Sequence, residues 1–366
     1  MRVLLVTRPG VGGAARHVLD LVTGLAGEHE ILALASPLED PAFLDRLAAA
    51  GAAVTAVPMR RGPHFRTDVA AVRAVRRTVR NFRPDVIHAH AFKAGAVARL
   101  GARGTPVVYS PHGFYHLYPT APAPARKVAR MVERRLAKRT AVLALCAEWE
   151  RPEAFGPEGG VVVVPNGVPV PVPMDPARRA GIRESLDVGP HEVLVTMVGR
   201  LAPPKRPDLF VDAALSAPAG LRFLLVGDGP DLEKYRDLAD GRASPIVAGW
   251  RDDLPDLLGA TDIAVLATDF EAAPYFLLQA MAAGLPCVAT DLSSTREVLG
   301  DAGVRVEPIA ASLRLSVEAL AADPARRETL GAAAHGRVRE SFSPEAMRSA
   351  VLRAWELARG SRPPGR

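Results

Sequence analysis

Two basic side chains follow one apolar run of the sequence in a spacing that suits phosphate binding. Arg200 and Lys205 stand five residues apart in VGRLAPPKRPDLF, between an apolar run and a helical stretch. Open sheets of parallel strands bind ligands at the carboxyl ends of their strands, so we expect both side chains at such an end. Arginine can hold a phosphate through two hydrogen bonds, and lysine adds a compact charge. The alternative is a solvated pair of surface charges.

An acidic residue follows a second apolar run, in the segment TDFEAAPYFLLQAMAAGLPCVATD. Glu271 comes after the run DIAVLAT, and the helix expected to start near Pro274 carries Gln279. The loop can direct this carboxylate and the unpaired N–H groups of the helix start towards one ligand. The alternative is that Glu271 only caps the helix electrostatically.

A glycine-rich turn joins the first apolar run to a helical stretch, in RPGVGGAARHVLDL. Gly12 and Gly13 allow the backbone to approach a ligand closely, and the helix start that follows offers N–H groups to an anion. The segment lacks the full G-x-G-x-x-G spacing, so an ordinary tight turn is the alternative.

Polar residues mark the ends of further apolar runs. His112 lies in SPHGF and Asn166 lies in PNGV. Strand alternation places His88 and His90 on one face of a sheet, where we predict buried packing. The sequence contains no H-E-x-x-H, Walker or G-x-S-x-G motif, which argues against zinc hydrolysis, P-loop phosphoryl transfer and serine hydrolysis.

The apolar runs that carry these residues predict the fold. Short runs rich in Val, Ile and Leu are typical of strands buried on both faces. Seven such runs precede the proline-rich VPVPVPMDP (168–176) and six follow it, each separated from the next by a helical stretch. The sequence therefore predicts an α/β protein with two doubly wound domains, 1–168 and 169–343, and a final helix over 344–366.

A basic helix is expected over 126–139, after the proline-rich LYPTAPAPA (117–125), which we predict to be a mobile loop. Helical spacing predicts one apolar stripe facing inwards while the basic groups face solvent. The stripe is predicted to consist of Val128, Met131, Val132 and Leu136.

Composition excludes several classes of protein. Of the 366 residues, 48% are apolar and 23% are charged, which suits buried cores and excludes extensive disorder. No apolar run approaches the ~18 residues of a membrane-spanning helix, and the first residues lack the features of a signal peptide. Cys146 and Cys287 lie in apolar runs without metal-ligand spacing, so we expect buried thiols in a cytoplasmic protein.

Charge is distributed unevenly along the chain. Residues 1–168 carry a net charge of +10, whereas residues 169–366 carry −4. We therefore expect residues 114–139, with their aromatic and basic groups, to contact an anionic membrane surface peripherally. The alternative is a solvated amphipathic helix. Nucleic acid is not an expected partner, because no recognition motif is present and aromatic residues make up only 5%.

Taken in order, these motifs resemble the family-4 retaining glycosyltransferases of GT-B fold. The resemblance covers nearly the whole chain, from VGGAARHVLDL through DVIHAH, PHGF, PNGV, VGRLAPPKR and LLVGDGPDLEKY to EAAPYFLLQAMAAGLPCVAT. It implies two Rossmann-like domains facing a cleft, the first acceptor-binding and the second nucleotide-sugar-binding, with the final helix crossing back to the first. The segment from PHGF to AVLAL looks most like enzymes that extend bacterial surface polysaccharides or lipid-linked glycans.

The resemblance also implies roles for individual residues. Arg200 and Lys205 would bind the donor diphosphate. Glu271, as the first Glu of the family's E-x7-E motif, would lie beside the donor sugar, and so would His112. The implied donor-binding positions are Gly12, Gly13, Asn166, Trp250, Ala273, Tyr275, Phe276 and Gln279. The implied donor is a UDP-sugar, the implied acceptor is a glycan, a lipid-linked glycan or a small molecule, and no metal or other cofactor is implied.

Two positions depart from the family pattern. Gln279 replaces the second Glu of E-x7-E, and Ala272 replaces the Gly that usually follows the first Glu. Two other functions stay open beside sugar transfer: a nucleotide-sugar epimerase of the same fold, and a catalytically silent partner that binds the donor. Release of UDP that depends on an acceptor would distinguish transfer from both.

Overall fold

The computed structural model describes residues 1–8, 10–156 and 160–361. The chain divides into two compact units, which we call the N-terminal unit and the C-terminal unit. The N-terminal unit comprises Met1–Gly167 and the chain from Pro344 onwards, and the C-terminal unit comprises Val168–Ser343. Part of the glycine-rich turn (Pro9) and the end of the predicted final helix (362–366) lie outside the described residues.

Each unit contains one parallel sheet. The N-terminal strands are β1 (Arg2–Thr7), β2 (Glu30–Ala35), β3 (Ala53–Ala56), β4 (Val86–His90), β5 (Val107–Ser110), β6 (Val142–Leu145) and β7 (Val161–Val163). The C-terminal strands are β8 (Val193–Val198), β9 (Leu221–Val226), β10 (Ile246–Gly249), β11 (Ile263–Leu266), β12 (Cys287–Thr290) and β13 (Val304–Val306). Their spatial orders are β3-β2-β1-β4-β5-β6-β7 and β10-β9-β8-β11-β12-β13. The predicted seven and six strands are confirmed.

Helices connect the strands and cover the sheets. The first seven are α1 (Gly12–Leu25), α2 (Ala42–Ala49), α3 (Phe65–Phe82), α4 (Phe92–Gly101), α5 (Ala123–Ala137), α6 (Pro176–Ser185) and α7 (Pro207–Leu215). The others are α8 (Leu232–Ala239), α9 (Leu254–Ala260), α10 (Tyr275–Ala282), α11 (Ser293–Leu299), α12 (Ala310–Ala322), α13 (Pro324–Ser341) and α14 (Pro344–Gly360). Among the described helices, none is both long and apolar enough to cross a membrane.

Both faces of each sheet are buried, as the continuous apolar runs predict. In the N-terminal unit, neighbouring Leu4 and Leu5 of β1 point into two different cores. Trp355 of α14, fully buried, belongs to the core that contains Leu5. In the C-terminal unit, Val265 and Leu266 of β11 divide between two cores in the same way.

The strand orders locate where a ligand would bind in each unit. The order reverses between β1 and β4 in the N-terminal sheet, and between β8 and β11 in the C-terminal sheet. A crevice opens outside the carboxyl ends of the strands at such a reversal, because the connections on its two sides run in opposite directions. The loops that follow these four strands are therefore the candidate ligand-binding loops.

The predicted packing of the basic helix is wrong in part. Val128 and Met131 of α5 are 54% and 44% exposed rather than inward-facing. The buried positions of α5 are Ala129, Glu133, Leu136 and Ala137. The helix is rotated relative to the prediction because Glu133 has buried polar partners.

Those partners are Arg99 of α4 and Tyr109 of β5. Arg99 Nη1 donates to one carboxylate oxygen of Glu133 at 2.9 Å, and the Tyr109 hydroxyl donates to the other at 2.8 Å. The Arg99 guanidinium lies 4.1 Å from the centre of the Tyr109 ring. A Cβ at Gly95 would lie 2.2 Å from that ring, so glycine is required there.

The predicted mobile loop over 117–125 is also wrong in part. A short 3-10 helix, Tyr115–Leu117, includes its first residue, and α5 already begins at Ala123. Proline suits the first turn of a helix because the N–H it lacks would have no partner there. Pro124 therefore lies inside the helix rather than in a loop before it.

Candidate active site

The loops after β8 and β11 bring together Lys205 and Glu271. Lys205 Nζ forms an ion pair with Glu271 Oε1, and the two side chains are only 17% and 18% exposed. The residues lie 66 positions apart in the chain, but their strands are neighbours in the sheet. Two side chains that the sequence places in separate motifs thus form one charged pair at the point where the strand order reverses.

Backbone hydrogen bonds join the same two loops beneath this pair. Lys205 forms an isolated antiparallel bridge with Thr268. The Asp269 N–H donates to the Pro204 carbonyl at 2.8 Å. The Thr290 hydroxyl, at the end of β12, donates to the Thr268 carbonyl at 2.7 Å. The positions of Lys205 and Glu271 are therefore set by three strands and not by the ion pair alone.

Arg200 lies on the exposed surface of the loop after β8. Glycines that follow β9 press against this loop from one side. A Cβ at Gly227 would lie 1.9 Å from the Gly199 carbonyl oxygen, and one at Gly229 would lie 2.5 Å from that of Leu201. The GDG triplet of the motif LLVGDGPDLEKY thus supports the loop that carries Arg200, a role that sequence reasoning did not assign.

The start of α10 supplies backbone groups beside the charged pair. Its first residue is Tyr275, and the first N–H groups of a helix have no partner within it. The Phe276 side chain is 7% exposed and packs in the core, so a ligand contact of this residue would have to use its backbone. Gln279 lies one turn further along and is partly buried, as is Ala273 before the helix.

Trp250 lies apart from these residues. It follows β10, which is separated from β8 by β9, and it is 71% exposed. Its indole N–H donates to Asp252 at 2.9 Å. The described contacts do not join it to Lys205 or Glu271, so its implied role in donor binding stays a prediction.

In the N-terminal unit, His112 occupies a strained turn after β5. Its φ of +52° lies in the left-handed region, and Gly113 follows with φ +88°. The buried carboxylate of Glu150 accepts the N–H groups of Gly113 and Cys146, both at 3.1 Å. Glu150 thereby connects this turn to the residue that follows β6. Sequence reasoning did not identify Glu150 as a structural residue, because it lies in no recognisable motif.

His17 of α1 connects the predicted residues of this unit. Gly12, with φ +78°, and Gly13 form the first turn of α1, and His17 lies one turn further on. The His17 Nδ1 lies 2.9 Å from Asn166 Oδ1, and its ring packs edge-on against His112 with centroids 4.7 Å apart. His17 lies within the sequence motif VGGAARHVLDL, but the sequence alone assigned it no functional role.

His88 and His90 are fully buried on one face of β4, as predicted, with ring centroids 4.1 Å apart. Their hydrogen bonds go beyond packing. The Trp355 indole donates to His88 Nδ1 at 3.1 Å, and His90 Nδ1 lies 3.0 Å from His112 Nε2. His112 and three further histidines therefore form one continuous cluster in the N-terminal unit.

Burial determines the charge of this cluster. Desolvation lowers the pKa of His17 to about 4 and that of His88 to about 3. It also places the pKa values of His90 and His112 well below 6.5, with further lowering from neighbouring histidines. The four imidazoles are therefore uncharged at neutral pH, and each offers one N–H and one lone pair.

The two thiols are free and buried, as predicted. Burial raises the pKa of both Cys146 and Cys287, so neither is a thiolate at neutral pH. Neither thiol is therefore activated as a nucleophile.

Two family models match the chain. Residues 12–167 match the model described as a glycosyl transferase 4-like domain, and residues 192–323 match the model described as glycosyl transferases group 1. The chain belongs to the family-4 glycosyltransferases of GT-B fold. The resemblance drawn from the ordered motifs is confirmed, and this glycosyltransferase is an enzyme.

Individual relatives agree with this assignment. The glycosyltransferase is 32% identical over 228 residues to UDP-Gal:alpha-D-GlcNAc-diphosphoundecaprenol alpha-1,3-galactosyltransferase of Escherichia coli, covering 57% of this chain and 58% of that protein, less than two thirds of its length. It is 29% identical to a glycogen synthase of Mycobacterium tuberculosis, covering 100% and 97% of the two chains. The crystal structure of Anabaena HepE with UDP-glucose shares the fold, with a TM-score of 0.82, 20% identity, and coverage of 97% and 99%.

The predicted site residues of this glycosyltransferase form two groups. Those of the C-terminal unit are Arg200, Lys205, Trp250, Glu271, Ala273, Tyr275, Phe276 and Gln279. Those of the N-terminal unit are Gly12, Gly13, His112 and Asn166. Each group lies at the carboxyl ends of the strands of its own sheet, where the fold favours a ligand, although Trp250 follows β10, two strands away from β8.

Proposed function

We propose that this glycosyltransferase moves a sugar from a UDP-sugar donor to a hydroxyl of a lipid-linked glycan, with retention of the anomeric configuration. The observation that carries the proposal is the Lys205–Glu271 ion pair at the carboxyl ends of β8 and β11. The HepE structure contains UDP-glucose, and the name of the E. coli relative specifies UDP-Gal and a diphosphoundecaprenol-linked acceptor. These two proteins support the choice of donor and acceptor.

In the proposed reaction, the bond between the anomeric carbon and the diphosphate oxygen breaks, and its electron pair stays on that oxygen. Lys205 and Arg200 stabilise the negative charge that grows there, the kind of interaction that typically contributes most to catalysis. The acceptor oxygen bonds to the same face of the anomeric carbon, and its proton passes to the departing phosphate oxygen. Two cations on one loop supply the charge stabilisation of this step, so the proposal includes no metal.

Glu271 has a different task in this proposal. Its carboxylate accepts hydrogen bonds from the donor sugar and stabilises positive charge on the sugar ring, without attacking it. The N–H groups at Ala273, Tyr275 and Phe276 suit the oxygens of the sugar and the phosphate. Gln279 would hold the ribose hydroxyls, since its amide can both accept and donate.

The N-terminal unit is proposed to bind the acceptor and to meet the membrane. Helix α5 presents Arg130 and Arg134 to solvent, Lys138 directly follows it, and Val128 and Met131 are exposed beside these cations. A helix surface with both basic and apolar groups suits the boundary of an anionic leaflet. A lipid-linked acceptor would be held at that boundary, which is why this acceptor class is proposed over a soluble one.

Two measurements test the reaction. UDP release is followed with a UDP-sugar panel in the presence and absence of undecaprenyl-diphosphate-linked sugars, and the product is examined by NMR for its anomeric configuration. Acceptor-dependent UDP release with an α-linked product from an α-linked donor is expected. Epimerised donor without UDP release, tight UDP binding without turnover on any acceptor, or an inverted product would each contradict the proposal.

A further inference from the structure

Three histidines of the N-terminal unit converge from three different elements. His17 comes from α1, His90 is the last residue of β4, and His112 lies in the turn after β5. One ring nitrogen from each lies within 4.8 Å of those of the other two. Strands β1, β4 and β5 are consecutive in the sheet, so their carboxyl ends place these side chains in one cluster.

The hydrogen bonds of His17 determine which of its nitrogens is available. The Asn166 side-chain oxygen can only accept, so His17 Nδ1 carries the hydrogen and donates to it at 2.9 Å. Nε2 of His17 therefore presents a lone pair. It is buried and has no hydrogen-bond partner among the described residues.

His90 and His112 supply the other two nitrogens. His90 Nδ1 and His112 Nε2 lie 3.0 Å apart and share one hydrogen, while His90 Nε2 is buried and has no partner in the described part of the chain. The other ring nitrogen of His112, Nδ1, lies 3.2 Å from Cys146 Sγ. A cation bound to His90 Nδ1 and His112 Nε2 would take the place of that shared hydrogen, and the buried, unpartnered His17 Nε2 offers the third lone pair.

We propose that His17, His90 and His112 bind a divalent cation of the zinc class. Three uncharged imidazoles suit zinc, cobalt or nickel, whereas magnesium and calcium prefer oxygen ligands. Zn–N bonds of about 2.0–2.1 Å place ligand nitrogens about 3.3 Å apart in a tetrahedral site. His90 Nδ1 and His112 Nε2, at 3.0 Å, already have nearly that spacing, so His17 Nε2 is the nitrogen that has to approach on binding. Asn166 and Cys146 would act as outer partners that orient His17 and His112.

This site shares His112 with the predicted donor site, but the proposed transfer chemistry itself needs no metal. Three protein ligands leave a fourth position for water, and His112 is the one of the three histidines that is not fully buried. Binding can therefore be measured without any transferase assay, and the proposal does not depend on the identity of donor or acceptor.

The test uses tag-free, full-length protein freed of metal by chelation and dialysis. Co²⁺ is titrated in and the visible absorption of tetrahedral cobalt is recorded, then Zn²⁺ is added in competition. We expect one equivalent to bind. His17→Ala and His112→Asn should each weaken binding by more than about 100-fold, beyond the range typical of outer-partner changes. Asparagine is chosen at position 112 because it tolerates positive φ.

Matched variants separate this site from surface binding and from misfolding. His191→Ala removes an exposed histidine. Cys146→Ala removes a thiol that lies 3.2 Å from His112 Nδ1, the ring nitrogen of His112 that is not a proposed ligand. His191→Ala should bind as tightly as the original protein, and Cys146→Ala should lose about 10–100-fold, the range typical of outer partners. Zn²⁺ should raise the melting temperature of the original protein but not that of His112→Asn. Absence of a tetrahedral cobalt spectrum, or equal affinity in His17→Ala and the original protein, would overturn the proposal.

Discussion

Lys205 Nζ and a carboxylate oxygen of Glu271 form an ion pair in which both side chains are more than four-fifths buried. The pair connects the loop after β8 to the loop after β11, and the backbone bridge between Lys205 and Thr268 fixes it from below. Partly buried pairs are less screened by salt than surface pairs. A donor diphosphate that approaches Lys205 would therefore meet a cation already held in position.

The first prediction concerns this lysine. Lys205→Ala should lower kcat/KM by at least about 100-fold, because it removes a group that stabilises charge on the leaving diphosphate. Steady-state UDP release measures the effect. Lys234→Ala, which removes an exposed lysine of α8, is the matched control and should change kcat/KM less than twofold. Near-normal turnover of Lys205→Ala would show that the diphosphate binds elsewhere.

The second prediction concerns the departure from E-x7-E. Gln279→Glu should preserve the fold, because the side chain is only partly buried on α10. UDP should bind as tightly or more tightly, since a carboxylate accepts hydrogen bonds from two ribose hydroxyls. Isothermal calorimetry with UDP on both proteins provides the comparison. A loss of more than about tenfold in affinity would mean that position 279 no longer contacts ribose.

Strand positions were predictable because continuous apolar runs are unambiguous in parallel sheets. All thirteen runs became strands, and the Lys205 and Glu271 loops followed from them. The proximity of those two residues was not predictable from spacing, since it depends on β8 and β11 being neighbours although two strands separate them in sequence. Likewise, the cluster of His17, His90 and His112 arises from three separate segments.

For the basic helix α5, by contrast, a local sequence pattern predicted the wrong buried face. Apolar periodicity assigned Val128 and Met131 to the inner face of α5. A buried ionic network with Arg99 determines the actual orientation, and its partner lies on another helix. Periodicity counts apolar residues and contains no information about a carboxylate that finds a buried cation elsewhere.

The third prediction tests that network. Glu133→Ala should lower the free energy of unfolding of the N-terminal unit by about 3–5 kcal/mol, because it leaves the Arg99 charge buried and unpaired. Denaturant titration measures the loss. Glu148→Ala breaks the exposed pair with Arg151 and should cost less than about 1 kcal/mol. Combining Arg99→Met with Glu133→Leu should recover most of the stability, and equal costs for the two alanine variants would contradict this account.

The fourth prediction concerns the outer face of α5. The protein should co-sediment with phosphatidylglycerol-containing vesicles at low salt and not with phosphatidylcholine vesicles. Reversing Arg130, Arg134 and Lys138 to Glu should weaken binding by at least about 100-fold, since each cation near the surface contributes about 1 kcal/mol. Circular dichroism establishes that the variant is folded.

Two further vesicle experiments complete that test. Reversing three exposed cations of the C-terminal unit, Lys234, Arg326 and Arg339, changes the net charge equally and should leave vesicle binding within about threefold of the original. Val128→Ser with Met131→Ser should weaken binding without altering its salt dependence, because it removes apolar contact only. A protein that fails to bind anionic vesicles at low salt would favour a soluble acceptor.

The fifth prediction is a pH dependence of stability that arises from the histidine cluster. The pKa of His88 is about 3 in the folded unit, against 6.5 in the unfolded chain, because burial disfavours its charged form. Between these values the unfolded chain binds more protons, so the free energy of unfolding falls as the pH falls below 6.5. Each such histidine contributes up to about 1.4 kcal/mol per pH unit.

Chemical unfolding between about pH 5 and pH 6.5 isolates the histidines, since most carboxylates stay ionised there. It is followed by Trp355 fluorescence, with Trp149 and Trp250 replaced by Phe and with chelator present to exclude metal. His88→Gln should reduce the slope of unfolding free energy against pH by about 1 kcal/mol per pH unit. His191→Gln, at an exposed position, should leave the slope unchanged. The slope, rather than the stability at one pH, is the decisive quantity, because His88→Gln also alters the hydrogen bond from Trp355. Identical slopes in the two variants would mean that His88 is protonated in the folded unit.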